Sequence, residues 1–321
     1  ITPIKGALTN YIYLCELNKT IPIEKHEHRR VILRLYGEIS GSHEKFYEIL
    51  IFNILSERKL GPKLLGAFKN GRIEQYIESR ALSVAELREG SYLERIARKM
   101  AKFHLLEIPF DKRPKYITRF VEKYLPHIHR AFENNEDMTQ RQKEIINTLA
   151  SRNVIKEYED LKVALEKMNS LTVYCHNDVQ EGNLLVLPSN YSSPQLEQIM
   201  VIDFEYSYYG YRGYDIGNHF CEFIMQNVSD KPLGFDYDPG CYPTHQQQMA
   251  FAEAYLNCIS EELKNSNDSS RNYFLTSPDS LIKEANHHSL MSHLFWGFWG
   301  VAQHYLSHID FPFLVRIDSN I

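Results

Sequence analysis

Residues 173–187 read V-Y-C-H-N-D-V-Q-E-G-N-L-L-V-L, and residues 199–205 read I-M-V-I-D-F-E. Short apolar and β-branched runs flank a polar loop, and a further run ends in an acid. Such runs predict short buried strands with polar residues at their ends. The loop therefore presents a carboxylate, Asp178, then an amide, Asn183, and a second carboxylate, Asp203, at the end of the next strand. Asp and Asn are also favoured in turns, so a hairpin with capping side chains is the plain alternative. His176 ahead of Asp178, the flanking strands and the I-D-F string weigh against it.

These are the groups that phosphoryl transfer from ATP needs. One carboxylate accepts the proton of the attacking hydroxyl, while an amide oxygen and a second carboxylate hold the magnesium that bridges the phosphates. Protein kinases space them as H-R-D-x-x-x-x-N followed by D-F-G. Here the strings are H-N-D-V-Q-E-G-N and D-F-E, with the same Asp-to-Asn spacing. A metallohydrolase built on His176, Asp178 and Asp203 is the chemical rival, but it usually calls for more His and carboxylate ligands than this loop offers.

The chain has 321 residues, enough for one large or two moderate domains with a real core. With 43% hydrophobic and 24% charged residues it has the make-up of a soluble globular protein. A net charge of −5 recommends neither nucleic acid nor an anionic membrane as a partner. No apolar run approaches the roughly 20 residues that span a bilayer. The N-terminus, I-T-P-I-K-G-A-L-T-N, has no signal-peptide pattern and lacks a Met, as expected where numbering begins inside a longer protein. Five scattered cysteines without a C-x-x-C point to reduced thiols and a cytoplasmic location. The N-x-[ST] strings at Asn18, Asn190, Asn227 and Asn267 read as chance.

Taken in order, residues 11–17 and 31–36 predict strands. The turn before the first contains Gly6 and Thr9; its backbone N–H groups could lie over phosphates, or it is an ordinary hairpin. Arg34 is a charge inside V-I-L-R-L-Y, so it either faces solvent or has a buried partner. Residues 42–59 predict an amphipathic helix ended by Gly61-Pro62, with Glu48 as the partner of Arg34 and Glu44 as the alternative. Residues 63–68 and 72–77 predict two more strands. Past Glu74, the backbone of Gln75 and Ile77 would form a hinge able to pair with adenine. The domain boundary is expected near Glu78, giving a nucleotide-binding lobe over residues 1–78 and a catalytic lobe over 79–321.

The second part is predicted to be mostly helical, over residues 91–106, 117–128, 154–168, 245–264 and 280–308. Residues 134–142 read as an exposed linker. Five tyrosines crowd residues 206–214, and Tyr206 follows closely on Asp203, which places it toward the phosphoryl acceptor. Asp215 is expected to brace the catalytic loop or to cap a helix. Trp296 and Trp299 lie on one helical face, where core packing is the ordinary explanation.

These strings carry a resemblance. C-H-N-D-V-Q-E-G-N-L-L, V-I-D-F-E-Y, Y-R-G-Y-D-I-G-N-H-F-C-E and S-H-L-F-W-G-F-W resemble the choline/ethanolamine kinases, as do L-R-L-Y-G, L-G-P-K-L-L-G-x-F and R-I-E-Q-Y-I near the N-terminus. The resemblance implies an α+β, two-lobed protein-kinase-like fold, with a small β-rich N-lobe and a large, mostly helical C-lobe. ATP and Mg2+ would sit between the lobes, and the γ-phosphate would pass to the hydroxyl of choline to give phosphocholine, the first step of phosphatidylcholine synthesis. By motif position Asp178 would be the base, and Asn183 and Asp203 the metal ligands. Arg34 would stand for the phosphate-binding lysine, paired with Glu48. Gln180 and Glu205 would line the acceptor side. Trp296 and Trp299 would belong to an aromatic cage for the ammonium, to which Tyr206 and a carboxylate such as Glu222 could add on physical grounds. Members often form homodimers.

An aromatic cage also has a physical rationale. A trimethylammonium group has no hydrogen to donate, and ring faces attract it by about 0.5–2 kcal/mol each. V-Q-E-G-N and Y-R-G resemble the choline branch, while ethanolamine-selective or dual-specificity activity is the alternative. Two departures bear on this. Gly6-Ala7 stands where the family has a glycine pair, and residues 223–227, F-I-M-Q-N, stand where choline kinases are richer in Trp and Tyr. A protein kinase is disfavoured, since the short segment from Asp203 to Asp215 leaves no room for a peptide-holding activation loop. A catalytically inactive, kinase-shaped binding protein is the rival of a different class.

Overall fold

Apolar and β-branched runs such as V-I-L-R-L-Y build a sheet from the first part of the chain. The computed structural model describes residues 1–4, 10–37, 42–188, 198–227, 235–266, 269–308 and 311–314. Strands β1 (Thr2–Ile4), β2 (Asn10–Glu16) and β3 (Arg30–Tyr36) precede helix α1 (Ser42–Glu57), and β4 (Leu64–Phe68) and β5 (Gly71–Gln75) follow it. The strands pair antiparallel in the order β1-β2-β3-β5-β4. The β3–β5 register sets Arg34 directly opposite Arg72. Because side chains alternate with period two, Glu74 falls on the same face as Arg72. Helix α1 buries Ile51, Phe52 and Leu55.

The chain continues through β6 (Arg80–Ala81), α2 (Val84–Leu87), α3 (Gly90–His104), α4 (Tyr116–Glu133), α5 (Gln140–Ser151), α6 (Val154–Glu166) and β7 (Thr172–Cys175). Then come β8 (Leu184–Val186), β9 (Ile199–Val201), β10 (Tyr208–Tyr211), α7 (Arg212–Cys221), β11 (Met225–Asn227), β12 (Phe235–Tyr237), α8 (His245–Ser266) and α9 (Pro278–Leu306). The expected linker over 134–142 ends early, because Thr139 and Gln142 form a capping box that starts α5. Within the tyrosine-rich segment Tyr208–Tyr211 form β10, and α7 begins at Arg212. β10 pairs antiparallel with β7, so Tyr209 lies opposite Tyr174 and both are buried.

Two compact units result. The first comprises Ile1–Ala81, Asn183–Glu205 and Ser307–Ile309; the second comprises Leu82–Gly182, Tyr206–Leu306 and Asp310–Ile321. The first unit thus takes in the β8–β9 hairpin, which β6 extends to a three-stranded sheet. Ile77, Leu187 and Met200 form a small apolar cluster there.

The second unit is held by the close approach of α7 and α9. A Cβ at Gly217 would stand 2.4 Å from the Ala285 carbonyl oxygen and 2.8 Å from the Ser289 nitrogen. The same two helices share a buried ion pair, Arg212 Nη2 to Glu284 Oε2 at 2.7 Å. Phe295 of α9 packs among Tyr116, Phe120 and Tyr124 of α4. Among the described residues, no helix is long and apolar enough to cross a membrane.

Gly217→Ala forces two backbones apart, so it is expected to destabilise the protein by about 1–3 kcal/mol, an overpacking cost. A lowered midpoint in urea unfolding is the result to look for, and an unchanged midpoint would contradict the packing described.

Candidate active site

In the second unit β7 delivers the turn His176-Asn177-Asp178. Asn177 takes a left-handed conformation, φ 64°, which Asn tolerates better than most residues. The backbone N–H groups of His176 and Asn177 both donate to the carboxylate of Asp215, at 2.8 and 2.7 Å. His104 Nε2 donates to the same carboxylate at 2.9 Å, and its Nδ1 lies 2.8 Å from the Tyr255 hydroxyl. Asp215 is fully buried. Burial alone would raise its pKa, yet the hydrogen bond and charge of His104 hold it below the usual carboxylate value. Asp215 is therefore the brace; the N-cap of α7 is Tyr211. His219, also buried, donates from Nδ1 to the Val179 carbonyl at 2.7 Å and fixes the turn just past Asp178. Asp178 itself is half-buried, and its N–H donates to His176 Nδ1 at 3.2 Å.

The same unit brings three predicted aromatic residues together. Tyr206 and Trp296 meet edge-on with ring centres 5.4 Å apart, and Trp296 and Trp299 do the same at 5.4 Å. Trp299 Nε1 donates to the Tyr206 hydroxyl at 3.0 Å, and Phe313 backs Trp299 at 5.5 Å. Edge-to-face contact is a favoured packing of aromatic rings, and Tyr206 and Trp299 are buried in it. Gln180 lies in the turn after Asp178, and Glu222 follows the end of α7; both are half-buried. The side chain at Asn227 lies outside the described residues.

The first unit gathers the charges, with one correction. Glu48 is not the direct partner of Arg34. It takes Arg72, at 2.5 Å from Nη1, while Arg34 donates to Glu74 at 3.0 Å and to Asp203 at 3.1 Å. The reason is the β3–β5 register. Two guanidinium groups sit side by side, and Glu74 Oε1 bridges them, at 2.7 Å from Arg72 Nε. The alternative, Glu44, has its side chain outside the described residues. Burial would lower the Arg34 pKa, but Asp203 and Glu74 outweigh it and hold Arg34 charged. Arg72 and Glu74 escaped notice in the sequence, although charges two apart in a strand share a face and so mark a buried pair.

Asn183 and Asp203 lie on the same hairpin. The Ile202 N–H donates to the Asn183 carbonyl at 3.0 Å, which brings Asp203 next to Asn183. Asp203 has φ 67° and a side chain 22% exposed. One amide and one carboxylate suit magnesium, which is commonly held by one or two carboxylates plus substrate oxygens. His104, Cys175 and Asp215 also cluster, but the imidazole and carboxylate are already hydrogen-bonded and burial pushes the Cys175 thiol well up, so they do not suit a metal. Glu205 accepts from Asn10 Nδ2 at 3.1 Å. The Gln75 N–H donates to the Lys63 carbonyl, and the Ile77 carbonyl accepts from Ser79 Oγ. Gly6 and Thr9 lie outside the described residues.

Comparison with known proteins decides the relationship. The family model for choline/ethanolamine kinase matches residues 1–319. The chain belongs to the choline/ethanolamine kinase family. It is 39% identical over 316 residues to a Homo sapiens choline/ethanolamine kinase, covering 98% of this chain and 76% of that protein. It is 38% identical over 334 residues to choline kinase alpha of Mus musculus, covering 98% and 72%. The solved choline kinase of Cryptosporidium parvum superposes with a TM-score of 0.76 at 24% identity, over 99% of this chain and 86% of that one. The expected α+β, protein-kinase-like fold is borne out, with a small sheet-bearing unit and a mostly helical one. Membership in this kinase family implies ATP as the phosphoryl donor.

Two buried imidazoles give this family member a predicted pH dependence. Burial lowers His219 and His288 to about 4, against about 6.5 in the unfolded chain. Between those values the unfolded chain binds protons that the folded one refuses. Their stabilisation is full above about 6.5 and is lost as pH falls toward 4, by about 2 kcal/mol each from pH 7 to pH 5. Urea unfolding at the two pH values measures it, and His219→Gln should flatten the slope.

Proposed function

We propose that the protein transfers the γ-phosphate of ATP to the hydroxyl of choline, giving phosphocholine and ADP. The observation that carries this is the convergence of Tyr206, Trp296 and Trp299 in the unit whose turn bears Asp178. Ring faces suit a quaternary ammonium, and a carboxylate on the adjacent turn suits its hydroxyl. Glu222 adds negative charge for the cation, and Gln180 and Glu205 line the acceptor side.

In this reading the Asp178 carboxylate takes the hydroxyl proton as the choline oxygen attacks the γ-phosphorus and the bond to the ADP oxygen breaks. Asn183 and Asp203 would hold magnesium, which neutralises charge on the phosphates. Arg34 faces the α- and β-phosphates, kept extended and charged by Glu74 and Asp203. Glu48 acts one step back, through Arg72. The backbone at Gln75 and Ile77 serves the adenine, and Gly6 and Thr9 the phosphates, within a nucleotide lobe of residues 1–78 and a catalytic lobe of 79–321.

A second reading, activity on both choline and ethanolamine, is favoured by the name of the human relative. Comparison of kcat/KM for the two alcohols decides between them: a ratio near one supports the broader reading.

Asp178→Asn is expected to lower kcat by about 10²–10⁴-fold with KM for ATP unchanged. Wild-type kcat in that variant would remove the base, and a wild-type protein without magnesium-dependent turnover would favour a non-catalytic binding role. Trp299→Ala is expected to raise KM for choline about tenfold and KM for ethanolamine less. Equal effects on both would return Trp299 to the core.

A further inference from the structure

The indole N–H groups, the two asparagines and Tyr206 form one connected chain in the second unit. Trp296 Nε1 donates to Asn218 Oδ1 at 2.6 Å. Asn218 Nδ2 donates to the Asn177 carbonyl at 3.2 Å. Asn177 Nδ2 donates to the Tyr206 carbonyl at 2.8 Å, and Trp299 Nε1 donates to the Tyr206 hydroxyl at 3.0 Å. The edge-on contacts of Tyr206 with Trp296 and of Trp296 with Trp299 close the circuit. Asn218 and Asn177 have 0% and 1% of their surface exposed, so water does not compete for these bonds.

We propose that Asn218 is a positioning residue that couples amine recognition to the base: the Trp296 ring sets Asn218, and Asn218 sets the peptide that joins Asn177 to Asp178. The proposal rests on the reading of Asp178 as base and of the three rings as the ammonium cage. The geometry gives Asn218 a role that packing alone does not need. Its oxygen accepts from the indole of Trp296 and from Ser292 Oγ, at 2.6 Å each, and because an indole N–H can only donate, a flipped amide would lose the Trp296 bond. That orientation forces its NH2 group toward the Asn177 carbonyl, one bond from the Asp178 nitrogen. Asn177 is held in a left-handed conformation, where a small loss of restraint lets the turn relax. A rotation of this peptide moves Asp178 relative to a hydroxyl whose position the cage fixes, and misplacement by about 1 Å costs on the order of 100-fold in rate.

The chain has two tryptophans and both belong to this circuit, so choline binding can be read by their fluorescence without turnover. Asn218→Ala is expected to lower kcat with choline by about 10–100-fold. The choline Kd from fluorescence and the KM for ATP should stay within about threefold, because the rings remain. Trp296→Phe keeps a ring face but drops the N–H donor, and should lower kcat in the same direction. The double variant should be no slower than Asn218→Ala alone, because both cut one chain. Unchanged kcat in Asn218→Ala overturns the proposal, as do additive losses in the double variant. A Kd lost in parallel with kcat also overturns it, since that marks a merely structural residue. Should Asn218→Ala fail to fold, Trp296→Phe decides alone: a raised KM with intact kcat refutes coupling. Failure of the underlying reading looks different, with wild-type protein showing no choline-dependent fluorescence change, and the coupling then falls with it.

Discussion

A single buried carboxylate, Asp215, sets the geometry of the turn that carries Asp178. It gathers two successive backbone N–H groups and one imidazole, and so fixes a turn that would otherwise leave buried donors unsatisfied. With His176 and Asn177 tied to α7 in this way, Asp178 emerges from a rigid support. α7 is in turn locked to α9 by the small residue at Gly217 and by the Arg212–Glu284 pair. The aromatic residues at 296 and 299 lie on that same α9. The turn of Asp178 and the two indoles are thus referred to one pair of helices, and their separation is set by backbone packing rather than by flexible loops.

The first unit solves a different problem, that of keeping cations available in a buried sheet. Arg34 and Arg72 are cross-strand neighbours, an arrangement that is repulsive alone. Glu74 bridges them, and Glu48 and Asp203 take the outer faces. Breaking such a network by removing one partner costs about 3–5 kcal/mol, because a buried charge is left unpaired. Both guanidinium groups depend on one shared carboxylate, so loss of Glu74 would disturb both.

The H-N-D-x-x-x-x-N string passes from one compact unit to the other, between Gly182 and Asn183. D-F-E-Y does the same between Glu205 and Tyr206. The carboxylate assigned to the hydroxyl and the rings assigned to the ammonium belong to the helical unit. The amide and carboxylate assigned to the metal belong with the cations of the sheet unit.

The sequence by itself determined the family, because its strings are local: Asp178, Asn183 and Asp203 lie beside short apolar runs that fold as strands. It also determined most helices, whose apolar residues repeat at 3.6-residue spacing, and the bracing role open to Asp215. Only the tertiary structure decided who pairs with whom. Arg34 meets Glu74 and Asp203 rather than Glu48 because strand register, a long-range property, puts Arg72 in between. Tyr208–Tyr211 became a strand because β7 offered them an edge. The linkage of Trp296 to Asn218 and Asn177 joins residues 78 and 41 positions apart, and no local propensity encodes a hydrogen bond between elements that meet only when the core closes.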